Sequence, residues 1–279
     1  MTTRRAAAVL TVLALVAAMA WVTTHRFDRP EPAPAGACTV RADGEVSLRP
    51  AQMANAATIT AVGVRMGLPD RAVVVALATA LQESKLENID YGDRDSVGLF
   101  QQRPSQGWGT VEQILDPRYA AERFYSALLR IGGWEELRVT EAAQAVQRSA
   151  FPDAYQQWAN EAGVLATALL GHATGAVACS LDGEPPLRGA DAASALDAGL
   201  AADWGELATA ALGDAPGLAV APEDDRAGWR YAHWLVSHAA GNGVVRVHYA
   251  DLEWTAATGT WSAAGSAADH VRADVLTEA

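Results

Sequence analysis

Glu83 is the carboxylate in this sequence best placed for acid–base work, because it follows a long apolar stretch from Arg71 to Leu81. That stretch reads as a helix entered at Pro69, a residue favoured in a first helical turn. It is apolar almost all round, the pattern of a central buried helix. The side chains three, four and seven positions before Glu83 are Ala80, Thr79 and Ala76, so its face carries little bulk and leaves a groove beside the carboxyl. Burial disfavours an ionised carboxyl, and so does the negative end of a helix dipole. Such a group suits general acid catalysis, and glycosidic-bond cleavage needs an acid to protonate the leaving oxygen. The rival reading is a surface carboxylate in a fraying last turn.

A second set of carboxylates, Asp90, Asp93 and Asp95, falls in the polar, glycine-punctuated stretch from Asn88 to Gly98. A glycoside hydrolase needs two carboxyl groups at a set separation, and these three are candidates for the second. Tyr91-Gly92-Asp93-Arg94-Asp95-Ser96 reads equally as a turn held by Asp–Arg pairing, the reading preferred here. The aspartates alternate somewhat as in a calcium loop, but the twelve-residue pattern ending in glutamate is missing. The six histidines show no His-Glu-x-x-His spacing, and no glycine-rich phosphate loop occurs. No metal and no cofactor is expected.

The elements that must position these groups follow from composition and pattern. The 279 residues carry a net charge of −12, which excludes nucleic acid as a partner, since that requires a Lys/Arg surface. Half the residues are hydrophobic, many of them alanine, which favours closely packed helices. Residues 1–25 read as a membrane anchor or signal peptide: Arg4-Arg5 precede the uncharged run Ala6–Thr24, roughly 28 Å long as a helix. The arginines favour a single-pass protein with the bulk of the chain extracytoplasmic; the alternative is secretion after cleavage near Ala20. Residues 26–46 form a proline-rich linker. Residues 47–172 form a helical domain, with helices at Pro50–Met66, Pro69 onward, Val111–Leu115, Pro117–Arg130, Thr140–Arg148 and Asp153–Gly171. Residues 173–226 connect it to a small α/β module, 227–279. There Val244–Tyr249 alternates as a strand, and Trp254 and Trp261 sit on a hairpin turning at Thr258-Gly259. Trp229, Trp234, Trp254 and Trp261 read as core filling in preference to glycan stacking. Cys38 and Cys179 bracket the central domain and are expected to form a disulfide, with two free thiols as the alternative.

Glu83-Ser84, followed by Ser96-Val97-Gly98-Leu99-Phe100-Gln101 and then Pro104, resembles the signature of the soluble lytic transglycosylases and goose-type lysozymes. The likeness covers about residues 50–170, including Asp116-Pro117 and Phe124-Tyr125. It implies a mainly α, lysozyme-like fold and cleavage of the MurNAc–GlcNAc bond of peptidoglycan, with glycan strands as partner; the N-terminal apolar run separately predicts engagement of the cytoplasmic membrane through a helix. Carried over, Glu83 becomes the general acid/base and Ser84 supports the helix end. Gly98, Leu99, Phe100 and Gln101 become the cleft floor, and Trp108 and Tyr125 are candidates to line the groove, with core packing as the alternative for each. The Tyr-Asn-Ala-Gly block usual in that superfamily, whose tyrosine approaches the acid, is missing. Gln144 and Gln147 are candidate substitutes for that hydrogen bond. A non-catalytic glycan-binding or scaffold domain is the alternative function.

Overall fold

Cys38 and Cys179 organise a small sheet around a covalent bond. In the computed structural model, which describes residues 36–149 and 151–278, β1 (Ala37–Arg41) pairs antiparallel with β2 (Glu45–Leu48) on one side. On the other side it pairs with β3 (Val177–Ser180). Cys38 faces Cys179 directly in the register, and the two sulfurs are bonded. Both residues are fully buried.

Between β2 and β3 lie the helices. α1 (Pro50–Arg65) starts on its proline, and α2 (Asp70–Ser84) follows after a short turn. The short α3 (Val111–Ile114) precedes α4 (Pro117–Leu128), again opened by proline, with the Asp116 carboxylate accepting from the Arg118 amide. α5 (Val139–Gln147) and α6 (Ala159–Leu169) complete the group. α2 packs against α1, α4, α5 and α6 at once. Its alanines at 72, 76, 78 and 80 are buried and let those neighbours approach closely. α2 stops because Lys85 and Leu86 take left-handed backbone conformations, at φ 58° and 62°. The Leu86 amide bonds back to the Ala80 carbonyl at 3.1 Å and its side chain is fully buried.

The rest of the chain is neither a linker nor a satellite in its contacts. α7 (Gly189–Trp204), β4 (Thr209–Ala211), β5 (Gly217–Val220), α8 (Asp225–Ser237), the short α9 (Ala239–Asn242), β6 (Val244–Thr255) and β7 (Thr260–Val275) follow in order. The four strands form an antiparallel sheet in the order β4-β5-β7-β6. The β6–β7 hairpin turns through Gly259 at φ 67° and sets Trp254 opposite Trp261. Trp229, Trp234 and Trp254 are buried, and Trp261 packs on Trp229 while donating from Nε1 to the Val177 carbonyl at 2.7 Å. The aromatic cluster therefore bonds the second sheet to the first. From Gly36 onward the chain is one compact unit.

Two buried polar groups tie the halves together. The Asp203 carboxylate on α7 is fully buried and accepts from Trp234 Nε1 on α8 at 2.7 Å and from Thr58 Oγ1 on α1 at 2.8 Å. Arg118 Nε on α4 stands 2.5 Å from its other oxygen, an ion pair off the hydrogen-bond direction. His233 on α8 is fully buried too. Its Nε2 accepts from the Ala176 amide at 2.9 Å and its Nδ1 faces the Ala168 carbonyl at 2.8 Å, which fixes the neutral tautomer with the proton on Nδ1.

Two expectations are corrected. The chain is a mixed α/β protein, not a mainly α one, because two antiparallel sheets flank the helices. β1 and the start of β2 arise in the stretch read as proline-rich linker, and β3 to β5 in the stretch read as connection. These strands are short; β1 and β3 pair across a long stretch of chain and β5 pairs with the distant β7, while β4 is an edge strand on β5. The single-pass membrane assignment is also withdrawn: among the described residues no helix is long and apolar enough to cross a membrane. The run Ala6–Thr24, on which that expectation rested, lies outside the described residues.

Replacing Cys38 and Cys179 together by alanine should lower the unfolding free energy by roughly 2–5 kcal/mol, measured by denaturant titration. The acid limb of stability tests His233. Burial lowers its pKa from 6.5 to about 4, so between those values the unfolded chain binds a proton that the folded chain refuses. Stability from this group is therefore present above pH 6.5 and lost as pH falls toward 4. His233→Gln should flatten the stability difference between pH 7 and 4.5 by about 2–3 kcal/mol. An unchanged slope would mean that His233 is not the proton acceptor.

Candidate active site

Glu83 stands in the last turn of α2, half-buried, with one carboxylate oxygen anchored. Its Oε1 accepts from the Tyr155 hydroxyl at 2.7 Å and from Gln147 Nε2 at 3.0 Å. Its Oε2 accepts no hydrogen bond among the described residues. Gln147 is the last residue of α5, and its Nε2 also donates to the Phe100 carbonyl at 2.8 Å. Tyr155 comes from the segment between α5 and α6 and is only 1% exposed. Burial first, then the nearby Glu83 charge, push its hydroxyl well above its ordinary range, so it stays a donor at any working pH.

The Gly98–Gln101 block is fastened beside the acid through its main chain. Ser84 Oγ donates to the Leu99 carbonyl at 2.8 Å, one residue before the carbonyl that Gln147 holds. The Phe100 ring stacks on Phe124 at 4.7 Å between centroids. Gly98 has φ 78°, and a Cβ there would lie 2.8 Å from the Ile114 carbonyl, so only glycine lets this backbone pass against α3. The Gln101 side chain closes over the polar loop, its Nε2 donating to the carbonyls of Tyr91 and Gly98 at 3.3 and 3.2 Å.

Glu83 opens onto a cleft of about 1020 Å³. Gln101, Trp108 and Gln147 share its walls, with the exposed ring of Phe151 at the rim. Ser84, Gly98, Leu99 and Phe100 are buried behind the acid and do not line the cleft. Tyr125 is fully buried and donates to the Ile59 carbonyl at 2.9 Å, so it belongs to the α1–α4 contact and not to the groove. Asp93 does line the cleft, but Arg103 Nη2 holds it at 2.6 Å while Arg103 Nε binds Ser96 Oγ. Asp95 accepts from the Ser105 amide at 2.8 Å, which lowers its pKa. Asp90 is exposed and lies outside the cleft lining. The polar loop is thus braced by an aspartate–arginine pair, made with Arg103 and not with Arg94. Among the described residues, no three His, Cys, Asp or Glu side chains converge as a metal would require.

The residue that sequence reasoning missed is Tyr155. It falls within the stretch read as a helix from Asp153 to Gly171, whereas that helix starts at Ala159 and leaves Tyr155 in the preceding turn, where it meets Glu83. Gln147→Leu leaves the Phe100 carbonyl unpartnered and should cost about 1–3 kcal/mol of stability, whereas Tyr155→Phe removes one hydrogen bond and should cost about 1 kcal/mol. Chemical denaturation of the two variants checks the order. No model of a known protein family matches the chain, and no curated protein matches it significantly.

Proposed function

We propose that this protein cleaves the MurNAc–GlcNAc bond of peptidoglycan glycan strands, with Glu83 as general acid and then base. The observation that carries the reading is the asymmetric holding of Glu83: Oε1 is fixed by two neutral donors while Oε2 is left to the cleft. A carboxyl so placed is oriented without an ion pair that would hold it ionised. The resemblance of Glu83-Ser84 and Gly98–Gln101 to the lysozyme-like transglycosylases supports the same assignment, as do Trp108 and Phe151, which offer flat apolar faces to pyranose rings.

The chemistry follows from having one available carboxyl group. Glu83 gives its proton to the glycosidic oxygen as the C1–O bond breaks. The sugar's own 6-hydroxyl then bonds to C1 and returns its proton to Glu83, leaving a 1,6-anhydro end and a regenerated acid. Hydrolysis needs a second carboxylate to activate water or attack C1. The other cleft carboxylate, Asp93, is already paired with Arg103, which favours the anhydro-forming route.

Incubation of the protein with purified peptidoglycan, followed by mass spectrometry, should release anhydro-ended fragments. Glu83→Gln should lower that release by about 10²–10⁴-fold, the usual contribution of a general acid. Reducing ends instead would indicate hydrolysis and turn attention to Asp93. Absence of release, with the protein still sedimenting with the polymer, would replace the enzyme by a glycan-binding module.

A further inference from the structure

The charge of the cleft is opposite to that of the chain. Five arginines, Arg94, Arg103, Arg123, Arg130 and Arg148, line it beside only two carboxylates, Glu83 and Asp93, in a protein of net charge −12. Two of the five are engaged: Arg103 holds Asp93 and Ser96, and Arg123 Nη2 donates to the Gly107 carbonyl at 3.2 Å. The guanidinium groups of Arg94, Arg130 and Arg148 make no ion pair or hydrogen bond among the described residues. These three come from separate segments: the polar loop, the end of α4 and the end of α5.

The backbone gives an independent reason to read them as functional. Arg94 and Arg148 stand at φ 58° and 53°. A side-chain-bearing residue there costs roughly 1–2 kcal/mol, and glycine would make either turn more cheaply. Arg148 directly follows Gln147, the donor to Glu83, so its turn sits against the acid's own support. Strained positions that keep a long cationic side chain, with no partner among the described residues, fit a partner brought in by the substrate.

We propose that Arg94, Arg130 and Arg148 select a carboxylate-bearing glycan, pairing with its carboxylates in the cleft onto which Glu83 opens. This rests on the glycan-cleaving reading above and names the residues that make its site prefer a carboxylated strand to a neutral one such as an N-acetylglucosamine polymer. Two sources supply the chemistry, the lactyl carboxylate of the sugar itself and the carboxylates of attached peptides. Guanidinium recognises both through the same paired N–H donors.

The test uses the full chain carrying Glu83→Gln, so that ligands survive, with and without Arg94→Gln, Arg130→Gln and Arg148→Gln together. Each protein is titrated with an uncharged N-acetylglucosamine hexamer, a peptide-free MurNAc–GlcNAc oligomer and a peptide-bearing one, at low salt and at about 0.5 M salt. The triple substitution should weaken binding of the carboxylated oligomers about ten-fold, as three partly exposed pairs allow. Binding of the neutral hexamer should be unchanged, and a triple lysine variant should recover part of the loss. Loss already seen with the peptide-free oligomer identifies the lactyl carboxylate; loss confined to the peptide-bearing one identifies the stems. Equal binding of all three ligands by the parent, or no effect of the triple substitution, overturns the proposal. Cleavage assays with Glu83 intact separate the two readings. Glu83-dependent cleavage indifferent to substrate charge removes only this proposal. Arginine-dependent binding without any cleavage keeps it and removes the enzymatic reading.

Discussion

Helix α2 is buried between four other helices from Ala72 to Leu81, and that burial dictates where an ionisable group can stand on it. A carboxyl group in the middle of such a helix would be stripped of water with no partner. At its C-terminal end the backbone turns left-handed at Lys85 and Leu86, and Glu83 reaches a cleft. The same ending places Ser84 against Leu99 and, through it, the whole Gly98–Gln101 block. Three segments distant in sequence are thus referred to one helix end: that block, the end of α5 and the segment carrying Tyr155. The acid is positioned by hydrogen bonds, and those bonds are positioned by packing.

The second half of the chain makes that packing durable. Asp203 on α7 gathers Thr58 from α1, Arg118 from α4 and Trp234 from α8. A buried carboxylate is costly unless paired and hydrogen-bonded, and here one cation and two neutral donors meet it. His238, whose ring stacks on Trp234 at 3.9 Å, is kept toward its neutral form chiefly by burial, although Asp203 pulls the other way. Removing the C-terminal half would therefore expose α1 and leave Arg118 on α4 without its buried partner. The tryptophans act in the same sense, Trp261 tying the β6–β7 hairpin to β3 and so to the disulfide-bonded sheet.

What the sequence made legible follows the range of the interactions. α1 and α4 announce themselves through Pro50 and Pro117 and their apolar periodicity, and α2 through its unbroken apolar run. These are local signals. β1 has only five residues and pairs with β3 at a sequence separation of 141 residues. In β7, Ser262 to Ala268 is alanine-, serine- and glycine-rich, a composition that does not ask to be a strand; pairing with β6 makes it one. The same division holds at the site. Glu83, Gln101 and Trp108 could be named from motif and type, and Gln147 entered as one of two candidates. Tyr155 and the arginines of the cleft could not be found that way, because their convergence exists only after five helices have packed. Tyr125 shows the converse: an aromatic residue of suitable type and position whose hydroxyl the core claims for Ile59.

Charge segregation links the site to the protein's surroundings. A chain of net charge −12 repels an anionic polymer at long range. That repulsion is screened beyond about 8–10 Å at moderate ionic strength, so what a strand meets on contact is the local potential. Inside the cleft the local potential is set by five arginines against two carboxylates, one of them neutralised by Arg103. Among the described residues none of these arginines makes a hydrogen bond or ion pair with Glu83, whose hydrogen-bond partners there are the neutral Tyr155 and Gln147; the cleft keeps its cations apart from the one carboxyl that its walls leave without an ion pair.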